Sequence, residues 1–333
     1  MVTHAALAVP IMKPLPFLLC IDVEPDQRQV AGHPATDWSA TLPCLQLLDQ
    51  FRRDVSERTG KAVRLNWFVR IDPQLEQAYG DAGHACSRYA SQWNAYRASG
   101  DEIGLHVHAW RAADDGSWIA DHANSDWVRH CISTGVEKYR EHFGACPRAF
   151  RFGDRFLSDD AVDLLEELGI QYEMTPEPGR PAEAITWDVA TGMLPDYRDM
   201  PRQPYRPSRS NYLARGFVRR RRLWVVPVST GAGWADGPHI HLNLAVPTSA
   251  TRRIFNQLLS NGVTTHVAWV ARTGDFACAE HRANFISNLD FLANHPQIAR
   301  LSFVRPDELI GGMGGNAQRS RRDGYLKAAA LST

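Results

Sequence analysis

Short apolar runs alternate along this chain with longer amphipathic stretches, and that rhythm restricts the fold more than any single motif does. Runs of strand length occur at 17–21, 63–69, 103–107, 149–152, 224–228, 239–244 and 265–270. Between many of them lie stretches with apolar residues at helical spacing: 41–56, 89–99, 125–143, 158–168, 251–262 and 280–295. Strand and helix in alternation imply βα units and a mainly parallel sheet, the signature of an α/β fold. In 158–168, Ser158 is a cap and Asp159 and Asp160 fill the first turn. Ala161, Leu164, Leu165 and Leu168 form the buried stripe, and Gly169 ends the helix before Ile170 opens the next strand. At 333 residues and 44% hydrophobic, the chain can bury a full core, and no composition break marks a second domain. We expect flexible ends at 1–15 and 311–333 around a body at 16–310. The proline- and aromatic-rich segment 174–210 should fold over the mouth of a site.

Lysine plus arginine balances aspartate plus glutamate at 37 each, so no overall field draws the protein toward nucleic acid or an anionic membrane. Arginine predominates over lysine, and the run Arg219 to Arg222 reads as a solvated turn between strands. No apolar run is long enough to span a bilayer. Six cysteines lie far apart without a CxxC spacing, and 1–16 makes a poor secretory signal, so a cytoplasmic protein with reduced thiols is expected.

Two strand-like segments end in paired polar side chains at i and i+2: Asp22 and Glu24 after 17–21, and His106 and His108 after Gly104-Leu105. Successive side chains of an extended chain alternate faces, so the members of each pair point the same way. An α/β protein places its chemistry just beyond the carboxyl ends of such strands. Buried carboxylates need a cation or strong donors, and two imidazoles on one face suit a divalent metal. Zinc fits a mixed nitrogen and oxygen donor set that leaves a position open, with iron, cobalt and manganese as alternatives. Arg151, ending another strand, can hold an active-site carboxylate ionised or form a plain structural ion pair. His239 and His241 repeat the i, i+2 pattern but open their run, which suggests the opposite end of the sheet. Arg272 and Asp275 close the last strand and are candidate substrate contacts. Trp187 and Tyr205, with Tyr197 and Tyr212, are candidates for a substrate-binding aromatic platform in the long loop.

Three ordered segments resemble the motifs of the polysaccharide deacetylases, the NodB-like carbohydrate esterases. They are Ile21-Asp22-Val23-Glu24, Gly100-x-Glu102-Ile103-Gly104-x-His106, and Phe150-Arg151-x-Gly153 with the helix ending Leu165-Glu166-Glu167-Leu168-Gly169-Ile170. The resemblance implies a deformed (β/α)7 barrel in which an aspartate and two histidines hold a divalent metal, here most simply Zn2+, and another aspartate is the general base. By position Asp22 matches the base, Arg151 the arginine that orients it, and Glu24 the carboxylate ligand beside His106 and His108; a swap of Asp22 and Glu24 stays open. The second histidine of the usual pattern would fall at Trp110, so His108 serves instead. The late strand carries Arg272-Thr273-Gly274-Asp275 where the family has its histidine general acid, so that role is open unless His241 or another residue fills it. The implied activity is metal-dependent removal of acetyl groups from an acetylated carbohydrate. A non-sugar amidohydrolase and a barrel that only binds carbohydrate or protein are the alternatives.

Overall fold

A computed structural model describes residues 13–28, 30–184, 193–234 and 237–313. Eight strands form its main sheet: β1 (Leu15–Val23), β2 (Asn66–Arg70), β3 (Glu102–Val107), β4 (Ala149–Phe152), β5 (Tyr172–Glu173), β6 (Trp224–Val225), β7 (Val267–Arg272) and β8 (Leu301–Phe303). Their order is β6-β5-β4-β3-β2-β1-β7, with β8 also on β1. Every pairing in this sheet is parallel. Beyond β6 the chain curls back toward β7: Ser229 N–H donates to the Ala268 carbonyl at 3.0 Å, and Leu242 N–H to that of Ser229 at 2.8 Å. Val270 N–H then reaches the Leu242 carbonyl at 2.9 Å. These isolated bonds draw the two edges together, and the architecture is the deformed (β/α)7 barrel that the sequence resemblance implied.

The helices α1 (Thr41–Thr59), α2 (Ser125–Phe143), α3 (Asp159–Glu167), α4 (Thr248–Ser260) and α5 (Ala279–Ala293) follow the strands as expected from their periodicity. The Ser158 hydroxyl caps α3 by accepting from Ala161 N–H at 3.1 Å, and Gly169 terminates it at φ +90°. Alternation along β1 sorts the core into two sides. Phe17, Leu19 and Ile21 join the large cluster packed under the helices. Leu18 and Cys20 join Phe68, Ala149, Met174 and Ala268 inside the barrel. Continuing by two along the chain brings Asp22 and then Glu24 to the barrel mouth. Gly104 keeps the interior open, because a Cβ there would lie 2.8 Å from the Phe68 ring and 2.9 Å from the Ala149 carbonyl oxygen.

One expected strand divides in two. His239–His241 pairs antiparallel with Thr230–Ala232 as a hairpin, and only the next residues, at Asn243, join β7. The split moves His241 away from the far end of the sheet where its position in the run placed it.

Candidate metal centre and catalytic cleft

Strand register assembles the site. On β1 Asp22 lies opposite Arg272 of β7, and on β3 His106 lies opposite both Arg70 of β2 and Arg151 of β4. A cavity of about 320 Å³ opens over these ends, lined by Asp22, Glu24, His106, His108, Arg151 and Arg272, and on its other wall by Glu177 and His241.

Glu24, His106 and His108 converge and are buried. The two Nε2 atoms are 3.0 Å apart, and Glu24 Oε2 lies 3.1 Å from that of His108 and 3.8 Å from that of His106. The outer nitrogens decide the tautomers. His106 Nδ1 meets the Arg151 carbonyl at 2.8 Å, and His108 Nδ1 meets Asp154 Oδ2 at 3.1 Å. Both partners accept, so each Nδ1 carries the hydrogen and each Nε2 presents a lone pair. Two lone pairs and a carboxylate oxygen then face one point, an arrangement that a divalent cation satisfies and that its absence makes repulsive. At His108 burial and Arg70 oppose protonation, yet Asp154 and Glu24 outweigh them and raise its pKa, so the acidic surroundings favour positive charge at this point, which a bound cation would supply in place of the proton. Burial also works against the Glu24 carboxylate, but Arg272 and the two imidazoles hold its pKa well below the ordinary range.

Asp22 stands beside this group and is held differently. Its Oδ2 accepts from Arg151 Nε at 2.9 Å. Its Oδ1 is buried without a hydrogen-bond partner among the described residues, and lies 4.0 Å from His106 Nδ1. Arg151 also donates to the Met174 carbonyl at 2.7 Å, which fixes the guanidinium.

Several residues around the centre were not singled out from sequence. Asp154 follows Gly153 with φ +54°, in the left-handed region that aspartate tolerates better than most residues. That turn lays its carboxylate against His108, and Trp110 Nε1 donates to the same Oδ2 at 2.8 Å. Thus Trp110, at the position of the displaced histidine, supports the residue that orients His108. Asp72 Oδ2 accepts from the His108 backbone N–H at 3.1 Å and from Arg70 Nε at 2.7 Å. Thr273 brackets Glu24, its hydroxyl accepting from Glu24 N–H and donating to Glu24 O, each at 3.0 Å. Gly274 permits this approach, because a Cβ there would sit 2.3 Å from the Pro25 carbonyl oxygen. Arg272-Thr273-Gly274 is therefore a clamp on Glu24, the Arg272 Nε–H donating to Glu24 Oε1. Arg272, expected as a substrate contact, is engaged by Glu24 and still lines the cleft, as does Asp275, 3.6 Å from its Nη1.

His241 reaches the cavity from the hairpin. Its Nδ1 lies 3.2 Å from Glu177 Oε2, and its Nε2 lies 3.1 Å from the Asn243 side-chain nitrogen. Asn243 Oδ1 is already occupied by Ala245 N–H at 2.7 Å, so the amide nitrogen must point to His241 and donate. Burial would raise the Glu177 carboxyl, but His241, Arg180 and Arg151 hold it at about 2.

The aromatic platform needs correction. Tyr205 is fully buried and donates its hydroxyl to the Tyr212 carbonyl at 2.7 Å. Tyr197 and Tyr212 are buried in the same layer, bonded to the carbonyls of Arg155 and Leu157. These rings form the core of the long segment and offer no face to a sugar; Trp187 lies outside the described residues.

The model of glycosyl hydrolase family 57 matches residues 114–235. No curated protein sequence gives a significant match. Among solved structures, a protein assigned as a polysaccharide deacetylase from Mycobacterium smegmatis aligns at TM-score 0.52 and 14% identity, over 95% of this chain and 96% of its own. Another protein so assigned, from Pseudomonas aeruginosa, aligns at TM-score 0.47 and 13% identity, over 88% and 89%. The 4-alpha-glucanotransferase of Thermococcus litoralis aligns at TM-score 0.47 and 10% identity, over 89% of this chain and 38% of that one. The first alignment establishes that this chain has the fold of a polysaccharide deacetylase.

Proposed function

We propose that the protein is a metal-dependent hydrolase that removes acetyl groups from an acetylated carbohydrate. The observation that carries this reading is the convergence of two Nδ1-protonated imidazoles and Glu24 beside an aspartate held by arginine. Glu24, His106 and His108 would hold the cation, with zinc best matched to two nitrogens and one oxygen. Such a cation supplies an acidified water and a polarised carbonyl. Asp22 accepts the proton of the attacking water at Oδ1, while Arg151 on Oδ2 fixes the orientation of the carboxylate. We assign His241, held between Glu177 and Asn243 on the opposite wall, to proton transfer at the departing oxygen or nitrogen. The fold neighbour and the family model over 114–235 both name carbohydrate-acting proteins, which supports a sugar over a simple amide.

The test is acetate release from acetylated amino sugars, compared with ammonia or amine release from small amides, alongside elemental analysis of the protein and of a His106→Ala, His108→Ala variant. We expect acetate release by the parent and loss of both metal and turnover in the variant. Unchanged metal content in the variant would show that the cation sits elsewhere.

A further inference from the structure

Between Pro201 and Ala235 the chain carries eight arginines and no acidic residue, in a protein whose net charge is zero. Helix α3 neutralises three of them. Arg221 is buried with Nε 2.8 Å from Asp163 and Nη2 3.0 Å from Asp159. Arg209 and Arg222 lie 2.9 and 3.5 Å from Glu166. Arg215, Arg219 and Arg220 are exposed and make no ion pair among the described residues. Between them, at the tip of the loop, stand Phe217 and Val218, 82% and 97% exposed, more than any other large apolar side chain described.

This tip is built. Ser208 N–H donates to the Ala214 carbonyl, Gly216 N–H to that of Arg206 and Arg221 N–H to that of Pro207, each at 2.8 Å. Gly216 is required at the crossing, since a Cβ there would lie 2.8 Å from the Pro207 oxygen. The buried Arg221 pins the base of the finger to α3. A phenylalanine and a valine are thus held out in water by a fixed backbone when a softer loop would fold them inward, at a cost that a partner would relieve.

We propose that the 206–221 finger docks the protein on the surface of an anionic phospholipid bilayer. Phe217 and Val218 enter the boundary between headgroups and acyl chains, and Arg215, Arg219 and Arg220 pair with the negative headgroups. Charge complementarity selects an anionic surface, and the adjacent apolar pair selects lipid over nucleic acid: phosphate contacts make no use of exposed Phe217 and Val218 side by side, and Val218, the more exposed, has no ring on which a base can stack. The inference stands apart from the hydrolase reading, and the cleft does not enter it.

Sedimentation of the full chain with vesicles tests it, using phosphatidylcholine alone and phosphatidylcholine mixed with phosphatidylglycerol. The expected result is binding to the mixed vesicles that weakens with added salt. A Phe217→Ser, Val218→Ser variant should lose about tenfold in partitioning while keeping the salt dependence. An Arg219→Gln, Arg220→Gln variant should lose roughly fivefold per arginine and show a flatter salt dependence. Unaltered circular dichroism in both variants would tie the losses to the finger. Failure of the parent to sediment with the mixed vesicles overturns the proposal. So does binding that the serine variant leaves intact, or self-association that the serine variant abolishes without any vesicle binding.

Discussion

Glu24, His106 and His108 stand at the ends of barrel strands, whereas Glu177, His241 and Asn243 approach the same cavity from the irregular chain between β5 and β7. On the strand wall, the pleat fixes where each side chain points and ladders on both sides fix its height. On the other wall, direction depends on side chains holding one another: Arg180 near Glu177, Glu177 beside His241, His241 against Asn243. A substitution on the first wall should remove a chemical group and leave the frame standing. On the second it should also release neighbours, so catalysis and positioning fail together.

Asp22→Asn sharpens this contrast most. We expect kcat to fall by about 10²–10⁴-fold with metal content retained, because the ligand group is separate from Arg151 and Asp22. Asparagine that strips the metal as well would merge the two groups and break the separation.

On the opposite wall, His241→Gln should cost about 10²-fold in kcat. Glu177→Gln should cost less, because the imidazole keeps its place on Asn243 and loses only the carboxylate beside Nδ1. A loss as large as that of His241→Gln would mean that Glu177 alone orients the ring.

The support of the strand wall can be broken without touching a ligand. At Gly153 a Cβ would fall 2.2–2.4 Å from the His108 ring atoms. Gly153→Ala should therefore displace the imidazole, and Asp154→Asn should weaken its orientation; either should lower metal affinity by about 10–100-fold in a competitive chelator titration. Equal affinity in both would mean that the ring is held from elsewhere.

The smallest effects concern stability and have opposite signs. Glu177 has a folded pKa of about 2, below the unfolded value, so its contribution is present above about pH 4.5 and is lost as pH falls toward 2. Glu173 is the reverse: burial lifts it to about 8, so its contribution is present below about pH 4.5 and is lost as pH rises through 8. Glu173→Gln should thus stabilise the protein at pH 8 by on the order of 2 kcal/mol, and Glu177→Gln should flatten the loss of stability in acid. Urea melts across this range measure both.

The barrel was readable because most of its strands carry a local signal, an apolar run commonly followed by an amphipathic helix, whereas β8 is too short to give one. The two i, i+2 pairs were readable for a similar reason, since pleat geometry decides their common face without knowledge of any neighbour. Asp154 gave no such sign: an aspartate after a glycine looks like an ordinary turn, and only its left-handed backbone and the nearby His108 give it a part. Tyr205 misled in the other direction. Prolines and tyrosines in a weakly periodic segment suit a sugar-facing loop and an internally packed one equally well, and the difference is where the hydroxyl ends up.

From the sequence alone come the α/β order, the faces of Asp22, Glu24, His106 and His108, and the resemblance that suggested their chemistry. Only the folded chain separates Asp22 on Arg151 from Glu24 on the histidines, turns Arg272-Thr273-Gly274 into a clamp, and carries His241 to the mouth. The reason lies in the range of the forces involved. Periodicity acts over a few residues and fixes which face a side chain takes; the partners met across the barrel lie far off in sequence and are set by sheet closure and strand register.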